Sequence, residues 1–242
     1  MGILAEDAHG VAVARSLQRL LPKEDVLLLC DDAYAPYARR RPDVVVRRVA
    51  ELLGQLRADG AKLIVIASPQ AVLDALALQP QAPVALIGLE APIPQAGAAC
   101  DGGAVAAVVA AGTVRGRLFG QALRRQRGAS AIHVEEWALE PAAAATRVPA
   151  LIAAGVGALA LTSPGLAQLR EAIERAAGDS ALAVVDAGEV AAARAERTLR
   201  HAGLLARRQR AGRLLAISSD PGRAVGQISA SALAARRAAS PA

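Results

Sequence analysis

The sequence predicts an α/β protein of two similar halves, each built on a mainly parallel sheet flanked by helices. Three observations predict it. Short aliphatic runs alternate with amphipathic helical stretches from end to end. Most of those runs are apolar at nearly every position, the pattern of strands covered on both faces. And a strand-Ser-Pro-helix segment occurs twice, at 63–69 and at 159–164. The chain of 242 residues is long enough for one large domain or two small ones.

Taken in order, 11–21 reads as an amphipathic helix and 26–30 (Val-Leu-Leu-Leu-Cys) as a buried strand. The period of Val45, Val49, Leu52 and Leu56 makes 43–59 a helix, and strands follow at 62–67 and 83–88. Pro92, Pro94 and the small residues through Gly103 read as a linker. Beyond it come strands at 105–110, 130–135, 158–161, 182–185 and 213–217, with helices at 113–127, 165–177 and 190–201. Expected boundaries are 1–94, completed by 205–242, for one domain and 95–204 for the other. The tail from Ala234 is expected to fray.

Composition narrows the function. Hydrophobic residues make up 54% of the chain but aromatic residues only 2%, which excludes disorder, collagen and a disulfide scaffold. It also excludes nucleic-acid modules that stack bases on aromatic platforms, so nucleic acid is not an expected partner. The net charge is +6, but outside Arg39–Arg41, Arg124-Arg125 and 207–210 the arginines are dispersed, as on a solvated surface. Two cysteines, Cys30 and Cys100, are too few for a disulfide framework or a metal cluster, and neither metal nor cofactor is expected. Glu6 and Asp7 stand where a signal peptide needs a basic start and an apolar run. The longest apolar stretch, 148–161, is short for a membrane span and holds Pro149, Gly155 and Gly157. A cytoplasmic protein without membrane attachment is the expectation. Gly155-x-Gly157-x-x-Ala160 imitates a dinucleotide fingerprint but precedes its strand instead of following it, so no dinucleotide is expected.

In the repeated segments, Ser68 and Ser163 are placed to cap a helix and Pro69 and Pro164 to open it. Backbone N–H groups at such helix starts attract carboxylate or phosphate without any chemistry, although Ser-Pro is also simply a good helix start.

The order of motifs resembles the glutamate racemase family, within the cofactor-independent aspartate/glutamate racemases, over nearly the whole chain. Cys30-Asp31-Asp32-Ala33-Tyr34-Ala35-Pro36-Tyr37 is similar to the family's G-D-T-A-x-x-P-Y-G loop, and Gly112-Thr113-Val114-Arg115 to its A-T-V-x helix start. Asp186-Ala187-Gly188-Glu189 resembles the late D-S-G-E turn and Ser219-Asp220-Pro221 the final S-G-D-P. The resemblance implies two α/β domains with the substrate between them. Two cysteines, one from each, would move the α-proton of glutamate on opposite faces. The carry-over fails at those positions. The family's A-C-N-T falls on Ala67-Ser68-Pro69-Gln70 and its G-C-T-H on Thr162-Ser163-Pro164-Gly165. Its D-S-G-x-G-G falls on Ala5-Glu6-Asp7-Ala8-His9-Gly10. A family helix near 145–153 also looks missing.

A serine hydroxyl ionises far less readily than a thiol and acts as a base only with a dedicated partner. The resemblance therefore implies a racemase-like protein with no confident catalytic residue. It binds a small carboxylate or other anion, or a protein partner or second copy, since some racemases of the family bind DNA gyrase. The alternative is an isomerase with a rebuilt site, linked to D-glutamate supply for peptidoglycan and using His9, Glu6, Asp7 or Tyr37. Candidate ligand-binding residues are His9, Pro36, Tyr37, Ser68, Gln70, Thr113 and Ser163, with Arg39 and Arg115 as further positive charge.

Overall fold

A computed structural model describes residues 1–68, 84–100, 103–111, 117–126 and 131–220. The chain divides into two compact units, Met1–Leu89 with Ala191–Ala242, and Glu90–Val190.

In the first unit, β1 (Gly2–Ala5), β2 (Val26–Cys30), β3 (Leu63–Ile66), β4 (Ala85–Gly88) and β9 (Leu214–Ser218) form a sheet in the order β4-β3-β1-β2-β9. Every pairing is parallel. The four residues of β1 are all buried, as the central strand of a sheet covered on both faces must be. Helix α1 (Gly10–Leu20) turns back close above the sheet. Only glycine permits this approach, because a Cβ at position 10 would stand 2.3 Å from the Ala5 Cβ. Helix α2 (Pro42–Ala58) starts with Pro42 in its first turn and Asp43 beside its positive end. It buries Val45, Val49, Leu52, Leu53 and Leu56, a stripe at helical spacing.

The second unit holds α3 (Ile93–Ala99), β5 (Ala104–Ala110), α4 (Arg117–Gln126), β6 (Ile132–Trp137), α5 (Pro141–Ala153), β7 (Val156–Leu161), α6 (Arg170–Ala177) and β8 (Ala183–Asp186). Its sheet runs β6-β5-β7-β8, again all parallel. Side-chain alternation splits its core into two layers. Val108, Trp137, Leu159 and Leu161 pack with Val148 and Ile173 on one face. Val105, Ala107, Ala158 and Ala160 pack with Ile93 and Ala96 on the other. Helix α7 (Ala187–His201) follows β8, and the division between units falls inside it. The divisions fall at 89/90 and 190/191, where 94/95 and 204/205 were expected.

Three expectations need correction. The segment read as a linker contains α3, whose Ile93 and Ala96 are fully buried. Spacing of three residues between apolar groups outweighs its two prolines, which sit at and just before the first turn, where a missing N–H costs nothing. The stretch around 145–153 is not missing a helix, because α5 occupies it. Strand β1 lies outside the expected set. Gly155 and Gly157 serve the β-sheet and not a dinucleotide. Gly155 turns the chain with φ +81°, and Gly157 lets β7 approach Gly103, whose Cβ would lie 3.1 Å from the Gly157 nitrogen.

Replacing Ile93 with Ala should lower unfolding stability by about 2–5 kcal/mol, the cost of a cavity in a packed core. Urea denaturation checks it. A change within about 0.5 kcal/mol, as at a surface position, would return the segment to a linker.

Candidate functional site

In open parallel sheets, ligand-binding groups collect beyond the carboxyl ends of the strands. In the first unit those ends bring together Glu6 after β1, Asp31 after β2 and Ser68 after β3. Ser68 is 1% exposed, and its hydroxyl donates to Glu6 Oε2 at 2.9 Å. The other carboxylate oxygen, Oε1, accepts the backbone N–H of Tyr37 at 2.5 Å. Two expected site residues, Ser68 and Tyr37, thus meet on a third, Glu6.

Tyr37 opens a short 3-10 turn, Tyr37–Arg39, after the exposed Pro36. Its phenol donates to Asp31 Oδ2 at 2.8 Å. Burial, then the adjacent Asp31 charge, pushes the phenol above its ordinary range. Asp31 itself is 0% exposed and accepts two arms of Arg48, Nε at 3.1 Å and Nη2 at 2.8 Å. The hydrogen bond to Asp31 holds the Arg48 guanidinium above its ordinary pKa. The same guanidinium lies 4.5 Å from the centre of the Tyr34 ring. Nothing in the sequence singled out Arg48, because an arginine on an amphipathic helix reads as solvated surface.

Ser218 and Ser219 join the same end of the sheet. Ser218 Oγ donates to Asp32 Oδ2 at 2.7 Å, and the Ala33 N–H donates to Ser219 Oγ at 3.1 Å. At the start of α1, His9 Nδ1 and Asp7 Oδ2 lie 3.0 Å apart, both half-exposed. That hydrogen bond, working against partial burial, raises the His9 pKa from its usual value. Cys30 is fully buried within the sheet, and Arg39 is exposed.

In the second unit, Ser163 adopts extended backbone and leads into a 3-10 turn, Pro164–Leu169, before α6. Pro164 occupies the first turn as expected, but Ser163 makes no capping bond, and the turn it opens is not α-helical. Its Oγ is buried and finds no partner among the described residues. The neighbouring Thr162 hydroxyl is engaged, donating to the Val108 carbonyl at 2.8 Å. Asp186 accepts the Glu189 N–H at 2.9 Å and Arg170 Nη2 at 3.0 Å, so the 186–189 motif fixes the start of α7. Burial opposes the charge on Arg170, but Asp186 and Glu189 more than offset it and its pKa rises. Cys100 ends α3, its thiol directed at the Gly103 carbonyl, 3.3 Å away. Pro69, Gln70, Thr113 and Arg115 lie outside the described residues. Among the described residues no three His, Cys, Asp or Glu groups converge as metal ligands. No helix there is long and apolar enough to cross a membrane.

Two α/β units, each on an all-parallel sheet with a serine just past a strand end, define the class of fold. A glutamate racemase structure from Bacillus anthracis superposes with a TM-score of 0.75 at 21% identity, covering 96% of this chain and 93% of that one. One from Thermus thermophilus, in complex with beta-chloro-D-alanine, gives 0.65 at 26% identity over 94% and 91%. No protein-family model matches the chain. In sequence, the glutamate racemase of Deinococcus radiodurans is 31% identical over 243 residues, 91% of this chain and 82% of that protein. That of Pseudomonas entomophila is 34% identical over 129 residues, and the chain spans about half of its length, 48%. The chain belongs to the glutamate racemase family.

Two measurements check the first unit's geometry. Replacing Asp31 with Ala strands Arg48 and the Tyr37 hydroxyl, and stability should fall toward the lower end of the about 3–5 kcal/mol typical of a broken buried pair, since Arg48 keeps some water. NMR titration of His9 should give a pKa above the ordinary imidazole value, returning toward it in Asp7→Asn. The pair supports the folded state at low pH, and that support is lost as pH rises through the raised pKa.

Proposed function

We propose that this protein does not interconvert the enantiomers of glutamate and keeps the racemase scaffold for binding a small carboxylate. The observation that carries this is the buried Ser68 hydroxyl donating to Glu6. Ser68 stands where the resemblance puts the first proton-transferring thiol. A thiol with a reference pKa of about 8.5 can be poised as a base, whereas an alcohol needs a strong partner. The partner here is a carboxylate, of reference pKa about 4.3, which does not generate an alkoxide. Without a cofactor there is no electron sink to ease removal of an α-proton.

Glu6 also redirects the anion. A carboxylate standing on Ser68 repels an incoming one, whereas Ser163 Oγ, buried and without a partner among the described residues, keeps its proton to donate. Ser163 is therefore the hydroxyl that meets the ligand. A protein partner in place of a small ligand is the outcome if no carboxylate binds.

A second reading, an isomerase with a rebuilt site serving D-glutamate supply, has the Asp7–His9 pair in its favour, an imidazole oriented by a carboxylate. One experiment separates the two. L-glutamate is incubated with the protein in D2O, following α-proton exchange by NMR and handedness by circular dichroism. Neither should change, and Ser68→Cys with Ser163→Cys should not restore them, since Ala5 and Gly165 also lack the family's supporting groups. Turnover of roughly 1–1,000 per second would establish the enzyme. Glutamate at 100 times its dissociation constant should stabilise the fold by about 2.7 kcal/mol. Ser163→Ala should remove more of that thermal shift than Ser68→Ala.

A further inference from the structure

The stretch between α7 and β9, residues 202–213, is laid across the amino ends of the first sheet, whereas Glu6, Asp31 and Ser68 stand at the carboxyl ends. Its contacts trace the path. Beside β3, Lys62 donates to the Leu204 carbonyl at 2.5 Å. Before β2, the buried Glu24 carboxylate accepts the Ala206 N–H at 2.7 Å. Arg208 donates to the Lys23 carbonyl at 2.6 Å, and the Gly212 N–H to the Pro22 carbonyl at 2.7 Å. Bonded near both ends and in the middle, the stretch is a fixed strap.

The strap and the turn beneath it carry more positive charge than their acids neutralise. Glu24 is taken by Lys62 at 2.9 Å. Asp25 accepts Arg210 at 3.0 Å and Arg208 at 2.5 Å, and these bonds hold its carboxyl well below the usual range. Lys23 and Arg207 are exposed and pair with no acid among the described residues. The Arg213 side chain is 81% exposed and 4.0 Å from the already occupied Asp25. Asp59, which lies near Arg213, offsets one of these three charges at most.

Apolar side chains stand among the cations. Leu204, near the start of the strap, is 46% exposed, and Leu20, two residues before Pro22, is 43% exposed. An exposed leucine alone is ordinary, but beside a fixed set of arginines it discriminates between anionic partners. A nucleic acid would set its phosphates on the arginines and leave both leucines in water. An anionic bilayer engages both kinds of side chain. We propose that this strap seats the protein on the surface of an anionic lipid bilayer. Lys23, Arg207 and Arg213 meet lipid phosphates, and Leu204 and Leu20 enter the headgroup boundary. No helix among the described residues spans a membrane, so the attachment is peripheral.

The full chain is floated with vesicles of phosphatidylglycerol and phosphatidylcholine in equal parts, and with vesicles of phosphatidylcholine alone. Binding is expected to the first and not to the second, and it should fall as salt rises from about 0.05 to 0.3 M. Arg207→Gln together with Arg213→Gln should lower the partition coefficient at least about tenfold. Both positions are exposed, so the urea midpoint of that variant should stay in place. Leu204→Ser should weaken binding while leaving its salt dependence unchanged. Equal binding to phosphatidylcholine alone, or no binding to either vesicle, would overturn the bilayer as partner. Tighter binding to duplex DNA than to the vesicles at equal phosphate, unaffected by Leu204→Ser, would assign the strap to nucleic acid instead. An unaltered partition in the double arginine variant would overturn the face, the contact then being made elsewhere on the chain.

Discussion

Asp31 is a carboxylate placed where no water reaches it, and the carboxyl end of the first sheet is arranged around the cost of that placement. Arg48 reaches from α2 to supply two hydrogen bonds, and Tyr37 supplies a third. Because Tyr37 is pinned through its ring, its backbone N–H is delivered to Glu6, and Glu6 in turn holds Ser68. A buried charge thus organises a chain of contacts through three strand ends. Its neighbour Asp32 ties in Ser218, so β9 is drawn into the same arrangement.

The two units repeat a motif and spend it differently. In the first, the serine past β3 is committed to an internal carboxylate. In the second, the serine past β7 leads into a 3-10 turn and its hydroxyl is uncommitted among the described residues. In the second unit, Asp186 and Glu189 are joined through Arg170 at the start of α7. The two repeated serines therefore differ: Ser68 bonds a carboxylate, and Ser163 bonds none among the described residues. The asymmetry arises from Glu6, which accepts the Ser68 hydroxyl and has no counterpart on Ser163 among the described residues.

Among the described residues, the edge strand β9 of the first sheet leaves Leu215 exposed. In the register, Leu215 lies beside Leu27 and Ile217 beside Leu29. The arginines around Asp25 lie at the amino end of that sheet.

The sequence by itself determined the α/β class, the parallel sheets, the strand-Ser-Pro repeats and the family, because aliphatic runs and amphipathic periods are local records of burial. Only the tertiary structure decided that 93–99 is a core helix, since small residues at helical spacing look the same in a loop until something packs on them. It also decided the partners of the site residues. Glu6 and Ser68 are 62 residues apart, and Asp31 and Arg48 are 17 apart on different elements. A side chain's charge and reach are written at its own position. Whether it is spent on a neighbour depends on which strand ends the fold brings within hydrogen-bond reach, and no local pattern encodes that distance.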